Sequence, residues 1–337
     1  MSDSRIGASA VRFDTALLVL IVLDCETIAL TGRGACMWRQ RRYRDEGRVW
    51  MPTAMPFELE RSFFLDWVRL ADQAGFDTLS SLDRPNYDMW DPLASLAAAA
   101  AVTQRIRLAT TTLPLPNRNE VLVAKQAAVI DRLSDGRLTL GVSLGSRPDD
   151  YQVFGATLEH RVTRFRHQVA TLRRVWAEAR HSDREHGVLG PPPVQDPGPP
   201  IWIGALTERA RQRAVELADG FIFGGAARLP TIGPAIQSMR PQVAERGKPD
   251  FSFNAVAYVA IGGEPEFAEA VAHHRRYYPV LPVPAEQAIH HGPIGKIKDV
   301  VAEYAASGLD LLMLMAEVRS LRQLELLSEQ VLPEYQH

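Results

Sequence analysis

A carboxylate and a guanidinium stand next to each other at Asp83 and Arg84, directly after a segment of strand-like composition. At the mouth of a parallel barrel, where ligands bind, such a pair could orient a substrate or stabilise negative charge that develops during a reaction. The same two side chains could equally form a rim ion pair with no part in chemistry. Both interpretations stay open from the residues alone, and Asp83 and Arg84 are the candidate catalytic residues.

Small residues follow several other predicted strands and would leave room for a ligand. A short turn of small residues that leads into a capped helix presents free backbone N–H groups and the positive end of the helix dipole, which together bind a phosphate. Such turns also occur for packing reasons, so the signal alone is weak. Thr207 is predicted as the N-cap of its helix. The candidate cofactor-binding residues are Thr110, Thr111, Ser143, Gly145, Gly204, Ala205, Leu206, Thr207, Gly224 and Gly225.

The segment 134–137 (SDGR) precedes a predicted strand and therefore lies on the opposite rim of the barrel, which serves stability. Gly136 is expected in a left-handed turn, and Arg137 is expected to bind neighbouring carbonyl or carboxylate groups. We predict no catalytic role for Arg137.

Two histidine doublets, 273–274 and 290–291, lack a carboxylate at metal-ligand spacing. We interpret them as solvated or loop histidines and predict no metal site. GxSxG, P-loop, CxxC and HExxH patterns are absent from the sequence, and the glycines do not have the GxGxxG spacing of a dinucleotide-binding turn.

Segments of strand and helix character alternate along the chain. Short, nearly continuous apolar strands between helices indicate a parallel sheet covered by helices. Eight such units in about 285 residues favour a closed barrel over an open sheet. The predicted fold class is therefore α/β, a (β/α)8 TIM barrel with inserted loops over residues 47–337. The strands are predicted at 48–53, 76–82, 106–113, 138–144, 201–203, 221–223, 251–261 and 309–315, the inserted loops at 187–199 and 277–293, and helices at 120–133, 207–218, 235–246, 297–306 and 321–331.

Composition excludes several classes of partner. The chain has 337 residues, 46% of them hydrophobic, and a formal net charge of −2, which offers no basic surface for nucleic acid.

Cys25 and Cys36 match no disulfide framework or metal spacing and fit a reducing cytoplasm. The apolar run 16–23 is shorter than the roughly 20 residues that span a membrane. Residues 1–46 are predicted as an irregular N-terminal extension, and we expect a cytoplasmic protein.

Five segments occur in a distinctive order, namely 70–77 (LADQAGFD), 131–142 (DRLSDGRLTLGV), 200–205 (PIWIGA), 218–221 (ADGF) and 292–310. The second is fairly specific, and the others are persuasive because of their order. Together they resemble the bacterial luciferase-like family of flavin- and F420-dependent oxidoreductases, also called luciferase-like monooxygenases. The resemblance covers about residues 47–333.

The resemblance implies a cofactor, FMN or coenzyme F420, in the barrel mouth with its ring over the first four strands. Its phosphate would lie at the turn 204–207 and be bordered by Gly224 and Gly225. A non-proline cis peptide is expected near Thr110–Thr112, behind the ring. The implied partners are a small-molecule substrate, a reductase that supplies reduced cofactor, and a second copy of the chain in a homodimer, with no nucleic acid and no membrane.

One position departs from the family pattern. Many relatives carry Asp-His after the second strand, where the histidine takes part in the acid/base or redox step, whereas this chain has Asp83-Arg84. Arginine cannot shuttle protons near neutral pH because its pKa lies above about 12. We therefore expect an oxidoreductase that uses reduced FMN with oxygen, as a monooxygenase. The alternatives are F420-dependent hydride transfer and a non-catalytic flavin-binding paralogue.

Overall fold

The structure, a computed structural model, describes residues 60–87, 89–181, 189–278 and 283–335. The predicted N-terminal extension and the predicted first strand, 48–53, lie outside these residues. The strands are β1 (Thr78–Ser81), β2 (Arg107–Thr110), β3 (Leu113–Pro114), β4 (Leu138–Ser143), β5 (Ile201–Gly204), β6 (Gly220–Phe223), β7 (Ser252–Ile261), β8 (Ile289–Gly292) and β9 (Leu311–Ala316). The helices are α1 (Arg61–Ala74), α2 (Pro92–Val102), α3 (Glu120–Leu133), α4 (Pro148–Val153), α5 (Arg161–His181), α6 (Glu208–Leu217), α7 (Leu229–Glu245), α8 (Glu264–Tyr277), α9 (Ala285–Ala288), α10 (Ile294–Ala306) and α11 (Leu321–Gln330).

All paired strands of the described sheet run parallel. They follow the order β1-β2-β4-β5-β6-β7-β8, with β3 beside β4 and β9 beside β7. The first part of β7 pairs with β6, and its last part, Tyr258–Ile261, pairs with β8. Because Tyr258 is also the register partner of Met315, β9 lies along the other edge of β7. The fold class is the predicted one, a (β/α)8 TIM barrel with helices over its outer face.

The predicted inserted loop 277–293 is partly regular, so this prediction is wrong for 285–292. That stretch forms α9 and the parallel strand β8. Flanking prolines favoured a loop, but Ile289–Gly292 contains none and can donate to a ladder. The part of β7 that extends beyond β6 would otherwise leave backbone groups unpaired, and β8 satisfies them. The other predicted loop contains neither helix nor strand from 189 to 199.

Strand residues alternate between two apolar cores. Leu140 and Val142 of β4 pack in the core under the helices, whereas Trp202 of β5 and Ile222 of β6 belong to a second core inside the barrel. The inner core also contains Ala109, Val256, Tyr258, Leu311, Met313 and Met315. This alternation decides which residue at each strand end faces the mouth of the barrel.

Helical periodicity predicts most of the helices well. α1 buries Phe64 and Trp67 and ends at Gly75, whose φ of 85° is the left-handed conformation of a helix stop. The bounds of α3 are the predicted ones. α7 begins at Leu229, earlier than predicted, because Pro230 falls in the first turn, where its missing N–H has no intrahelical acceptor to lose. None of the helices in the described ranges is long and apolar enough to cross a membrane.

On the rim opposite the mouth, the segment 134–137 has the predicted left-handed turn and the predicted arginine contacts. Gly136 has a φ of 80°. Arg137 donates to the carbonyls of Ser134 at 2.6 Å and Thr103 at 2.9 Å, and also to that of Ile106. One guanidinium thus ties the start of β4 to the chain between α2 and β2. This arginine is a structural clamp and lies away from the mouth.

Candidate active site

Small residues line the mouth at the ends of β4, β5 and β6. Side chains alternate between the two faces along a strand. The residue directly before each of Ser143, Gly204 and Gly224 belongs to the core under the helices, so these three face the barrel interior. Ser143 and Gly204 are register partners. A Cβ placed on Gly224 would meet no described atom within 4 Å, so open space adjoins it. These three residues are the small-residue side of the mouth.

Two of the candidate glycines are required by close approach of other residues. A Cβ on Gly204 would lie 2.8 Å from Cγ2 of Thr112, and a Cβ on Gly225 would lie 2.2 Å from Cε2 of Tyr258. Gly225 therefore has a packing role against an aromatic ring, whereas Gly224 leaves volume for a ligand. Adjacent glycines thus have different functions in the fold.

The third barrel strand is interrupted where the resemblance places the cofactor ring. A cis peptide bond joins Thr111 to Thr112, which confirms the expected non-proline cis bond. The Thr110 hydroxyl donates to the Gly141 carbonyl at 2.6 Å and has no proton left for a ligand. The Thr111 Oγ1 atom is buried and has no hydrogen-bond partner among the described residues, so it can bond a ligand.

The turn after β5 leads into α6, and Thr207 occupies the predicted N-cap position. Its hydroxyl makes no capping hydrogen bond, and its carbonyl accepts from the N–H groups of Ala210 and Arg211 at 3.0 and 2.9 Å. The first N–H groups of a helix have no intrahelical acceptor, so the turn keeps donors for an anion. Ala205 is partly buried, whereas Leu206 is 59% exposed.

Three arginines add positive charge between α5 and α6, and the sequence analysis missed them. Arg161 donates from Nη1 to the carbonyl of Gly145 at 3.3 Å. The buried Nε atoms of Arg164 and Arg213 have no hydrogen-bond partner, and within the described ranges none of the three pairs with a carboxylate. Burial, followed by the charges of Arg166 and Arg161, lowers the pKa of Arg213. Arg161, Arg164 and Arg213 form the arginine cluster. The spacing of Arg161 and Arg164 at the start of α5 is a signal for those two, whereas Arg213 comes from α6.

Asp83 lies on the other side of the mouth, bound by an arginine that the sequence analysis also missed. Arg118 Nε donates to Asp83 Oδ2 at 3.0 Å, and Nη2 forms ion pairs with the same oxygen at 3.0 Å and with Asp91 at 2.8 Å. The Asp83 side chain is 3% exposed. Burial, opposed by the charge of Arg118, raises the pKa of Asp83 to about 6. Asp83 can therefore gain or lose a proton near neutral pH.

Arg84 forms its ion pair with Asp150 rather than with Asp83. Its Nη1 lies 3.8 Å from Asp150 Oδ2, and its Cζ lies 4.8 Å from the ring centroid of Tyr278, a cation–π contact. Asp150 also accepts from Asn86 Nδ2 at 3.3 Å, and burial raises the pKa of Asp150. Both neighbouring residues thus belong to rim ion pairs, each with a partner from another strand exit. Looking for charges after every predicted strand would have identified both partners.

The first histidine doublet is buried, so its interpretation as solvated or loop residues is wrong. His273 and His274 lie on α8 with side chains 8% and 2% exposed, and their Nδ1 atoms are 2.6 and 3.6 Å from Oε2 of the fully buried Glu317. The His274 ring packs edge-on against Tyr258 at 4.6 Å between centroids. Local spacing could not reveal this contact, because Glu317 is distant in the sequence.

The second doublet lies on β8 rather than in a loop. His290 Nε2 is 3.3 Å from the hydroxyl of Tyr304, and burial lowers the pKa of His290. The His291 ring stacks on Phe267 with centroids 3.6 Å apart. In the part of the chain that the structure describes, no group of three or more His, Cys, Asp or Glu side chains could hold a metal ion.

Comparison with known proteins gives consistent matches. The chain matches the luciferase-like monooxygenase family over residues 43–310. It resembles the monooxygenase RslO1 from Streptomyces bottropensis with 23% identity and a TM-score of 0.70, covering 86% of this chain and 99% of that chain. It also resembles an F420-dependent secondary alcohol dehydrogenase in complex with an F420-acetone adduct, with 16% identity and a TM-score of 0.71, covering 87% and 100%.

A curated relative, an uncharacterised protein of Mycobacterium tuberculosis, is 36% identical over 139 residues, which are 39% of this chain and 49% of that protein. The chain thus spans about half the length of this curated relative. The fold defines a (β/α)8 barrel with its candidate site at the strand exits, and the family match covers most of the sequence. The chain therefore belongs to the luciferase-like monooxygenase family, as the sequence resemblance predicts.

Proposed function

We propose that this protein is an oxidoreductase that binds coenzyme F420 or FMN in the barrel mouth and acts on a small organic substrate. The observation that carries the proposal is the small-residue side of the mouth, where Gly224 adjoins open space. The Thr111 hydroxyl, which has no hydrogen-bond partner among the described residues, and the start of α6 would provide polar groups for the ligand. Membership of the luciferase-like monooxygenase family supports redox chemistry.

The residues present fit a phosphorylated cofactor with a flat ring. Backbone N–H groups of the turn 204–207 would hold the phosphate at the positive end of α6, with Arg213 as a nearby charge. Ser143 and Gly224 would leave space for the ring, and Thr111 Oγ1 would hydrogen-bond to its edge. When bound, the cofactor supplies or accepts a hydride, or reduces oxygen.

The chain's own charged residues would orient the substrate and manage protons. Asp83, held by Arg118, would give a proton to the substrate or take one at its carboxylate oxygens near neutral pH. Arg84, fixed between Asp150 and the Tyr278 ring, would attract the oxygen of a polarised substrate. The buried ring side chains would exclude water from the site.

F420-dependent hydride transfer between an alcohol and a carbonyl compound is the reaction that these residues favour. The lack of histidine at position 84 suggested FMN with oxygen, but Asp83 can carry the proton that a carbonyl–alcohol reaction exchanges. The arginine cluster, without carboxylate partners in the described ranges, suits the carboxylates that F420 carries beyond its phosphate. FMN with oxygen is the second candidate, because the permanent charge of Arg84 would stabilise an anionic flavin.

Titration of the purified protein with F420 and with FMN, each followed by fluorescence, tests the proposal. We expect F420 to bind roughly tenfold more tightly than FMN, about 1.4 kcal/mol, and to be reduced in the presence of a secondary alcohol such as propan-2-ol. Binding of FMN alone, with substrate-dependent oxygen consumption, would establish the second candidate. Cofactor binding without turnover across a panel of alcohols and ketones indicates a non-catalytic paralogue, and binding of neither cofactor refutes the proposal.

We further propose a cytoplasmic homodimer, which in the FMN reaction would also need a reductase partner. Support for the dimer comes from α3, where Val121, Leu122, Val129 and Leu133 expose between 37% and 55% of their surface. Exposed aliphatic side chains on one helix suit a second protein surface. Light scattering on the purified chain measures the oligomeric state, and a monomeric mass would refute the dimer.

A further inference from the structure

Glu317 stands at the end of β9, on the wall of the mouth, and the proposed function assigns it no role. Met315 faces the barrel interior and Ala316 the core under the helices, so alternation turns Glu317 inward. Its N–H donates to the Val259 carbonyl at 2.9 Å, which continues the ladder between β9 and β7. A carboxylate is thus held firmly at the exit of the last barrel strand.

The contacts of this carboxylate are two imidazoles. Oε2 lies 2.6 Å from His273 Nδ1 and 3.6 Å from His274 Nδ1, and the Glu317 side chain is completely buried. In the described residues Oε1 has no hydrogen-bond partner, and neither ring nitrogen of His274 has one. A buried charge costs several kcal/mol unless it is paired. No lysine or arginine in the described ranges pairs with Glu317, so the carboxylate and the two rings form one buried polar unit.

This unit touches the phenols that line the mouth. The His274 ring lies 4.6 Å from the Tyr258 ring and 4.7 Å from the Tyr278 ring, centroid to centroid. Burial is the largest cause that raises the pKa of both tyrosines, and the negative charge of Glu317 raises it further, whereas Arg84 opposes this. Both phenols therefore stay protonated at neutral pH. The Tyr278 hydroxyl already donates to Met315 Sδ at 3.8 Å, which leaves Tyr258 as the phenol that would donate to a ligand.

Burial decreases from the barrel interior towards the surface. Glu317 is 0% exposed, His274 2% and His273 8%, so His273 is the member nearest to solvent. The titratable and charged groups that face the unit are Tyr277 from α8 itself, Tyr258 from β7, Tyr278 after α8 and Arg84 after β1. These side chains form a row of titratable groups in contact with one another, from His273 to Tyr258.

We propose that Glu317, His273 and His274 form a proton-holding triad that exchanges a proton with the ligand in the mouth through Tyr258. When a phenol gives its proton to an anionic ligand oxygen, the phenolate oxygen regains one from an imidazole N–H of the triad, and His273 exchanges with water. Only O–H and N–H bonds form and break, and no electrons move. This inference rests on the proposed redox function.

Glu317→Gln tests the triad, because it keeps the shape of the side chain and removes its charge. The matched control is Glu325→Gln, which removes an exposed carboxylate of α11 that pairs with Arg322. Proton NMR of the cofactor-free protein is expected to show a strongly deshielded imidazole N–H from the His273–Glu317 hydrogen bond. The signal should be present in the parent and in the control and absent from Glu317→Gln.

Turnover then tests the function of the triad. With F420 and propan-2-ol as probes, Glu317→Gln should lower kcat by about 10- to 100-fold at nearly unchanged KM and unchanged F420 affinity, and should alter the pH profile of kcat. Glu317→Asp should restore part of the rate. His274→Gln, which leaves the Glu317–His273 contact in place, should give a similar loss and covers the case in which Glu317→Gln does not fold.

The possible outcomes separate the two proposals. If the parent protein binds F420 and turns over, while Glu317→Gln and His274→Gln keep its kcat and pH profile, the triad has no role and the proposed function stands. If the parent binds neither F420 nor FMN, the proposed function fails, and the triad proposal fails with it. A loss of kcat in which the pH profile keeps its shape would show a packing role and overturn the inference.

Discussion

The two sides of the barrel mouth use the ends of parallel strands in opposite ways. On the small-residue side, Ser143, Gly204 and Gly224 offer almost no side chain, and the donors come from the backbone and from the arginine cluster. On the other side, Tyr258 and Glu317 project large polar groups into a buried environment. One side is suited to binding the ring and the anionic part of a cofactor. The other is suited to placing charge near a ligand and exchanging protons with it.

Strand length explains this contrast. β6 ends at Phe223, opposite Ala255, whereas β7 continues to Ile261 and gains β8 as a new neighbour. The longer strand carries Tyr258 above the level at which β6 stops. The glycine turn after β6 fits against this ring, as the 2.2 Å approach to a Cβ on Gly225 shows. The small-residue side of the mouth and the side that carries Tyr258 therefore differ because β7 is longer than its neighbour β6.

The strongest test of the contrast compares the two adjacent glycines. Gly225→Ala should destabilise the fold by about 3 kcal/mol, because its Cβ would overlap the Tyr258 ring. Gly224→Val should change the free energy of unfolding by less than about 1 kcal/mol and instead weaken F420 binding roughly tenfold or more, about 1.4 kcal/mol. Urea denaturation and fluorescence titration measure the two effects. Equal destabilisation by both variants would remove the distinction between packing and ligand space.

The second test concerns the charge of Asp83. Its folded-state pKa of about 6 lies above the ordinary value of 3.8, so the stability that this group contributes is present at low pH and is lost as the pH rises through about 6. We expect the free energy of unfolding of the parent to fall by about 2 to 3 kcal/mol relative to Asp83→Asn between pH 4 and pH 7. Urea denaturation at a series of pH values measures this difference. The exposed Asp250→Asn is the control, and parallel pH dependences of the parent and Asp83→Asn would contradict the assignment.

The smallest expected effect comes from the arginine cluster. Arg213→Ala and Arg161→Ala should each weaken F420 binding by about three- to tenfold, roughly 1 kcal/mol, and less so at high salt because screening already reduces the attraction. Arg174→Ala, on the exposed surface of α5 and paired with Glu178, should leave the affinity unchanged. Fluorescence titration at low and high salt gives the comparison. Affinities that do not respond to either cluster variant would place the anionic part of the cofactor elsewhere.

Several local features could be predicted from the sequence because they depend on neighbours along the chain. The helix stop at Gly75 and the left-handed Gly136 occur at the predicted places. The cis bond near Thr111 occurs where the family resemblance implied it. The family pattern also located the glycine turns. The clamp at Arg137 was predicted because its position before a strand fixes the rim on which it lies.

Other features depended on contacts between distant segments. Arg118 binds Asp83 across 35 positions of the chain, and His273 meets Glu317 across 44. The histidine doublet carries no local signal of burial, and the strand β8 forms because β7 leaves a free edge for it.

The sequence by itself determined the alternation of strands and helices and the turns in which glycine is required, because these follow from hydrophobic period and backbone sterics within a few residues. Its ordered motifs indicated the family by resemblance. Only the tertiary structure decided which charges meet. The parallel course of the strands brings every strand exit to one end of the barrel, and burial there raises the pKa of Asp83 and places Glu317 against two imidazoles. Pairing and burial of charge are properties of the assembled mouth, because both depend on which strand exits become neighbours in space.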